Sequence, residues 1–146
     1  MSGGIVKCDV SLIGILVGAL VGHFIHAIWY MKLFTKPFVK YYGWDEEETK
    51  KKIGEHKGIG HLILGSFISK VIYSVIFAII AHNMGISEIE DAIKLGVLVW
   101  IGFMATVCLN EVLWHGERIQ FYLINQGCYL VSNIATAVVY TLIASY

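Results

Sequence analysis

Proline is all but missing from this 146-residue chain: Pro37 stands alone, so elsewhere no proline ring interrupts a long helix. Charge is sparse as well. Asp, Glu, Lys and Arg make up 15% of the residues and cancel to a formal net charge of zero, which removes any bulk-charge basis for binding nucleic acid. The three cysteines, Cys8, Cys108 and Cys128, are an odd number without C-x-x-C spacing, so no paired disulfide framework is written into the chain. Cys108 and Cys128 lie in apolar runs and read as small buried hydrophobes. A phosphate-cradling glycine loop is lacking, and so is a nucleophile with an evident base partner; the sequence predicts no enzyme and no cofactor.

What the chain has in abundance is apolar surface. Hydrophobic residues make up 57% of it and the mean hydropathy is +0.68, values that belong in lipid. Four stretches meet the length of about 20 residues needed to cross hydrocarbon: Val10 to Met31, Gly58 to His82, Ala92 to Trp114, and Phe121 to Ala144. Alternating barrel patterning is missing and an open strand has no backbone partners in lipid, so all four are predicted helices. The expected fold is all-α: one transmembrane domain over residues 1–146, built as a four-helix bundle with no separate soluble unit. The first apolar run is too long for a signal-peptide core and is expected to stay in the mature protein.

Lys32, Lys36, Lys40, Lys50, Lys51, Lys52 and Lys57 all fall between spans one and two, and Arg118 falls between spans three and four. By the positive-inside rule the 32–57 loop faces the cytoplasm or its equivalent, and both termini face the outer side. In that loop Pro37 breaks helical continuity, and Lys36, Lys40, Tyr41, Tyr42 and Trp44 suit the lipid headgroup layer. Asp45 and Glu48 form a capping pair with Lys50 to Lys52 toward the other end, which predicts a short interfacial helix. Two readings stand for this loop: an anionic-lipid contact, or a solvated, charge-balanced helix.

Gly14, Gly18 and Gly22 repeat at four-residue spacing on one face of span one, a surface for close helix packing. The spacing alone leaves open whether the partner is another span or another subunit. Lys70 lies near the middle of span two, where a charge costs at least about 2.5 kcal/mol, and it should face protein or water. Ser66, Ser69, Tyr73 and Ser74 share its neighbourhood, and Asn125, Tyr129, Asn133, Thr136 and Tyr140 form a polar stripe on span four. Glu111 on span three is the expected counter-charge. Side chains lean toward the N-terminus of their own helix, which narrows a depth gap of roughly 12 Å between the two groups. The predicted Lys70–Glu111 bridge, direct or through Asn110, is either a structural pair or a titrating couple that handles an ion. His23, His26 and His115 are conceivable metal ligands by depth, yet the chain has no Glu-x-x-His or H-E-x-x-H pattern, so no metal is predicted.

Ala27-Ile28-Trp29-Tyr30, Leu33-Phe34, Lys36, Phe38 and Gly43 form one signature; Trp100-Ile101-Gly102-Phe103, Asn110 and the run Ile124 to Val131 form a second. Together they resemble the small membrane proteins grouped as domain of unknown function 1761. That resemblance implies a compact four-helix membrane protein and brings no established activity. The residues themselves favour a non-enzymatic protein that works by packing, as a homo-oligomer or as an accessory subunit of a larger membrane complex. Its partners are then the lipid bilayer and other membrane subunits or a second copy, without nucleic acid. The rival expectation is a small transporter or channel for an ion or polar solute, using Lys70, Glu111, Asn110 and Asn125.

Overall fold

A computed structural model describes residues 9–43, 47, 51 and 60–145. Among these residues there is no strand, and four helices are long and apolar enough to cross a membrane. They are span one, Leu12–Leu33; span two, Ile63–Asn83, within the helix Gly60–Asn83; span three, Ile89–His115; and span four, Ile119–Ala144. Ser11 starts span one as its N-cap, its Oγ accepting from the Gly14 N–H at 3.2 Å, which satisfies one of the donors a helix start leaves open. Span two stops at Gly85, whose φ of +68° only glycine adopts freely. The Ile86 N–H then reaches back to the Ala81 carbonyl and the Gly85 N–H to that of His82, closing the end.

Spans one and three are not uniform α-helices. Each carries a π-helical turn, Trp29–Leu33 in span one and Ile101–Ala105 in span three. Such turns take in an extra residue and re-aim everything after them.

A short helix, Thr35–Tyr42, does follow span one in the first loop. The chain breaks at Phe34 (φ −121°, ψ 20°), and Pro37 then sits in the first turn of the new helix, where its missing N–H has no intrahelical acceptor to lose. Proline here opens a helix after a break already made. The Asp45–Lys52 stretch lies outside the described residues apart from Glu47 and Lys51, as do Trp44 and the Tyr42 side chain.

Span four is the centre of the bundle, packed against span one on one side and the first half of span three on the other, while span two leans on span one. The glycine face of span one is turned onto span four. A Cβ on Gly14 would stand 3.0 Å from the Tyr140 ring, one on Gly18 3.2 Å from the Thr136 carbonyl oxygen, and one on Gly22 2.7 Å from Thr136 Oγ1. Close approach lets hydroxyls bond across helices: Thr136 donates to the Gly18 carbonyl at 3.0 Å and Ser74 to that of Ile15 at 2.9 Å.

Packing divides the bundle lengthwise. Toward the 84–88 turn lies an apolar cluster of Ile15, Phe77, Ala78, Ala81, Ala92, Leu95, Ala137 and Tyr140. Toward the short helix the buried residues become polar, with Lys70, Gln126, Ser132 and Asn133 among them. Past Trp100, span three loosens from the core: among Ile101–His115 only Ala105 is buried, and Phe103, Leu113 and Trp114 face outward.

Replacing Gly22 with valine should destabilise the bundle by about 1–3 kcal/mol, the usual range for overpacking a close contact. Gly65, whose Cβ would meet nothing within 4 Å, is the matched control and should tolerate alanine. Denaturant titration of both variants in detergent checks the contrast.

Candidate functional site

Lys70 is 7% exposed and its side chain crosses from span two toward span four through the gap that Gly22 leaves; a Cβ on Gly22 would lie 3.6 Å from Lys70 Cδ. The ammonium donates to Ser132 Oγ at 3.1 Å and lies 5.4 Å from the centre of the Tyr129 ring, within cation–π range. His26 Nε2 is 3.1 Å from the same Ser132 oxygen, and the His26 ring meets Tyr129 edge-on at 5.2 Å. Ser132 donates its own proton to the Tyr129 carbonyl at 3.2 Å. A hydroxyl has one proton and two lone pairs, so with that proton on the Tyr129 carbonyl the Ser132 oxygen is left as an acceptor facing both Lys70 and His26.

His26 also belongs to a cleft between spans one and two. The cleft measures about 340 Å³ and is lined by His23, His26, Ala27, Tyr30, Ile63 and Ser66 among others. His23 Nδ1 lies 3.4 Å from Ser66 Oγ, and the Tyr30 hydroxyl donates to Asn125 Oδ1 at 2.7 Å. His26 on the cleft wall and the buried Lys70 thus meet on one oxygen, Ser132 Oγ.

The predicted Lys70–Glu111 bridge is not formed. Glu111 is exposed on the second half of span three and binds His115 Nδ1 at 2.6 Å, one helical turn away. Asn110 is exposed beside it. The reason is the loosening of span three past its π-turn, which carries both residues away from spans two and four. Among the described residues no carboxylate pairs with Lys70. The three histidines do not assemble either: His115 is taken by Glu111, and no group of three His, Cys, Asp or Glu residues that could hold a metal occurs among the described residues. The polar stripe of span four does face inward in part, with Asn133, Thr136 and Tyr140 buried, whereas Ser69 of span two points outward and donates back to its own Gly65 carbonyl. Lys36 is exposed on the short helix.

Three participants were given no role by the sequence pattern. Ser132 lies three residues after Tyr129 and seven after Asn125, on the stripe's own face, and that spacing is the one clue to it. The other two are Trp29 and Trp100, which form a clamp. Trp29 Nε1 donates to the Ile124 carbonyl and Trp100 Nε1 to the Gln126 carbonyl, both at 3.1 Å, so the residue opening the first π-turn and the residue just before the second grip nearby positions of span four. Gly127 gives the Trp29 ring room; a Cβ there would stand 3.3 Å away. Tyr122 returns the contact by donating to the Ala105 carbonyl at 2.8 Å.

Fold and cluster together define a membrane protein of four helices with a polar interior toward one end. Residues 13–141 match the family described as Protein of unknown function (DUF1761), and the chain belongs to that family. No curated protein and no solved structure matches it. The two stretches that carry the family resemblance are the two that build the tryptophan clamp, so at these positions the signature has a structural meaning.

Replacing Trp29 or Trp100 with phenylalanine removes an N–H and keeps most of the ring, and each should cost about 0.6 kcal/mol, the mean for an interhelical bond in a membrane. The double replacement should cost close to the sum, because the acceptors are different carbonyls. Unfolding of the single and double variants in mixed micelles measures this.

Proposed function

We propose that the protein binds a small anionic solute in the cleft between spans one and two and moves it across the bilayer, with Lys70 as counter-charge and His26 and Ser132 as the link to it. The observation that carries this reading is a lysine 7% exposed whose hydrogen-bond partner is a neutral hydroxyl. An intramembrane charge costs at least about 2.5 kcal/mol, and one hydroxyl with one aromatic face offsets only part of that. An anion would complete the site. The glycine face, the basis for expecting a packing role, is accounted for by span four of the same chain. The end bearing Lys32, Lys36, Lys40 and Arg118 is assigned to the cytoplasmic side by its positive charge. No catalytic step enters this reading.

A second reading, an accessory subunit or homo-oligomer, rests on the second half of span three, where Asn110 is exposed and only Ala105 is buried. A partner span there would give that helix the packing its own chain withholds.

Thermal unfolding in nanodiscs against sodium acetate, phosphate and chloride tests the first reading. At least one anion should stabilise the wild type, Lys70→Met should abolish that effect, and Glu111→Gln should leave it intact. Lys70→Met should itself raise the ligand-free stability by about 1–2 kcal/mol, since it removes a buried charge without a charged partner. Anion stabilisation that survives in Lys70→Met contradicts the proposal.

A further inference from the structure

A second cleft lies at the same end of the bundle, outside the Lys70 cluster and independent of any reading of it. It is formed where the short helix Thr35–Tyr42 meets the start of span four. Its volume is about 190 Å³, and its walls include Lys40, Tyr41, Arg118, Gln120, Phe121 and Ile124. The Tyr41 ring lies flat on Phe121, centroids 4.1 Å apart and planes 4° from parallel, which pins the short helix to span four. The Arg118 guanidinium stands 5.9 Å from the centre of the same Tyr41 ring. Two cations from separate elements thus border one cleft around a fixed aromatic stack. Arg118 is the N-cap residue of span four, so the start of that helix fixes it at the end of the span. Glu117, the nearest acid in sequence, is not among the lining residues.

We propose that this cleft holds the phosphate of an anionic phospholipid headgroup, between Lys40 and Arg118. Arg118 supplies the planar fork that suits phosphate oxygens, and Lys40 supplies a compact second charge. Position and lining favour a lipid over a free phosphate. The cleft opens at the end of a membrane span, the depth at which headgroups lie, and Tyr41 provides the amphipathic ring found there. Phe121 and Ile124 give it an apolar wall, which a glycerol backbone and the start of an acyl chain can cover and an inorganic ion cannot. The short helix thereby acquires a role, since its docking on Phe121 brings Lys40 to the cleft that Arg118 also lines.

Native mass spectrometry of the full chain, released from nanodiscs of phosphatidylcholine with a minor share of phosphatidylglycerol, tests the assignment. The wild type should retain phosphatidylglycerol in preference to phosphatidylcholine. Lys40→Gln and Arg118→Gln should each lower that retention about fivefold, the worth of one basic side chain near an anionic surface. Lys36→Gln removes the same charge from the same helix outside the cleft and should leave retention within a factor of about two. Arg118→Lys, which keeps the charge, should hold an intermediate level and so separates a lost cation from a misfolded chain. Equal losses in all three glutamine variants would mean diffuse attraction and overturn the site, as would retention unchanged in Lys40→Gln and Arg118→Gln. Displacement of the lipid by inorganic phosphate would overturn the lipid assignment in favour of a soluble phosphate.

Discussion

Span one lies close enough to span four for backbone to meet backbone, and most of the remaining structure depends on that approach. A Cβ at Gly18 would crowd the Thr136 carbonyl at 3.2 Å, and one at Gly22 would meet Thr136 Oγ1 at 2.7 Å. In lipid no hydrophobic gain draws helices together, so close contact and the hydrogen bonds it permits must do so. The Thr136 bond to the Gly18 carbonyl exists because of the missing side chains. So does the route of Lys70, which passes Gly22 on its way to Ser132. At the far end of the same seam Gly127 admits the Trp29 ring.

That seam also redistributes the functional weight of the chain. A glycine face consumed inside the bundle is no longer surface for a second copy, and the case for assembly moves to the second half of span three. Lys70, meanwhile, sits among hydroxyls, an imidazole and an aromatic face. A core of this kind is poor as pure scaffolding, because a methionine of similar length would fill the space without the cost of burying an ammonium. In the proposed function the cleft lined by His26 is the way a ligand approaches this group.

The membrane spans were legible because the bilayer sets a strict length, and runs such as Val10 to Met31 have no other stable form. Glycine spacing on span one and the stripe ending in Asn133, Thr136 and Tyr140 were equally readable, since both are periodicities of a single helix. The partner of Lys70 was not. Depth along the membrane could be estimated by counting residues, but azimuth could not, because the π-turn Ile101–Ala105 stands between the packed half of span three and Glu111. One extra residue turns the following face by about 100°. Composition gives no warning of it, as Ile101-Gly102-Phe103-Met104-Ala105 is ordinary helix-compatible sequence. The helix Thr35–Tyr42 was hidden for another reason: a proline just after a span reads as a breaker, whereas the break falls at Phe34 and Pro37 sits in the first turn of the new helix.

In the proposed function the Lys70 cluster is reached through the cleft between spans one and two. Thiol labelling at Ser66, on the wall of that cleft, tests it most directly. In a chain with Cys8, Cys108 and Cys128 replaced by serine, Ser66→Cys should react with a charged, water-soluble methanethiosulfonate in intact membranes, and an anion that stabilises the protein should slow the reaction. A cysteine there that stays unreactive, or that reacts at a rate no anion alters, would rule out that route.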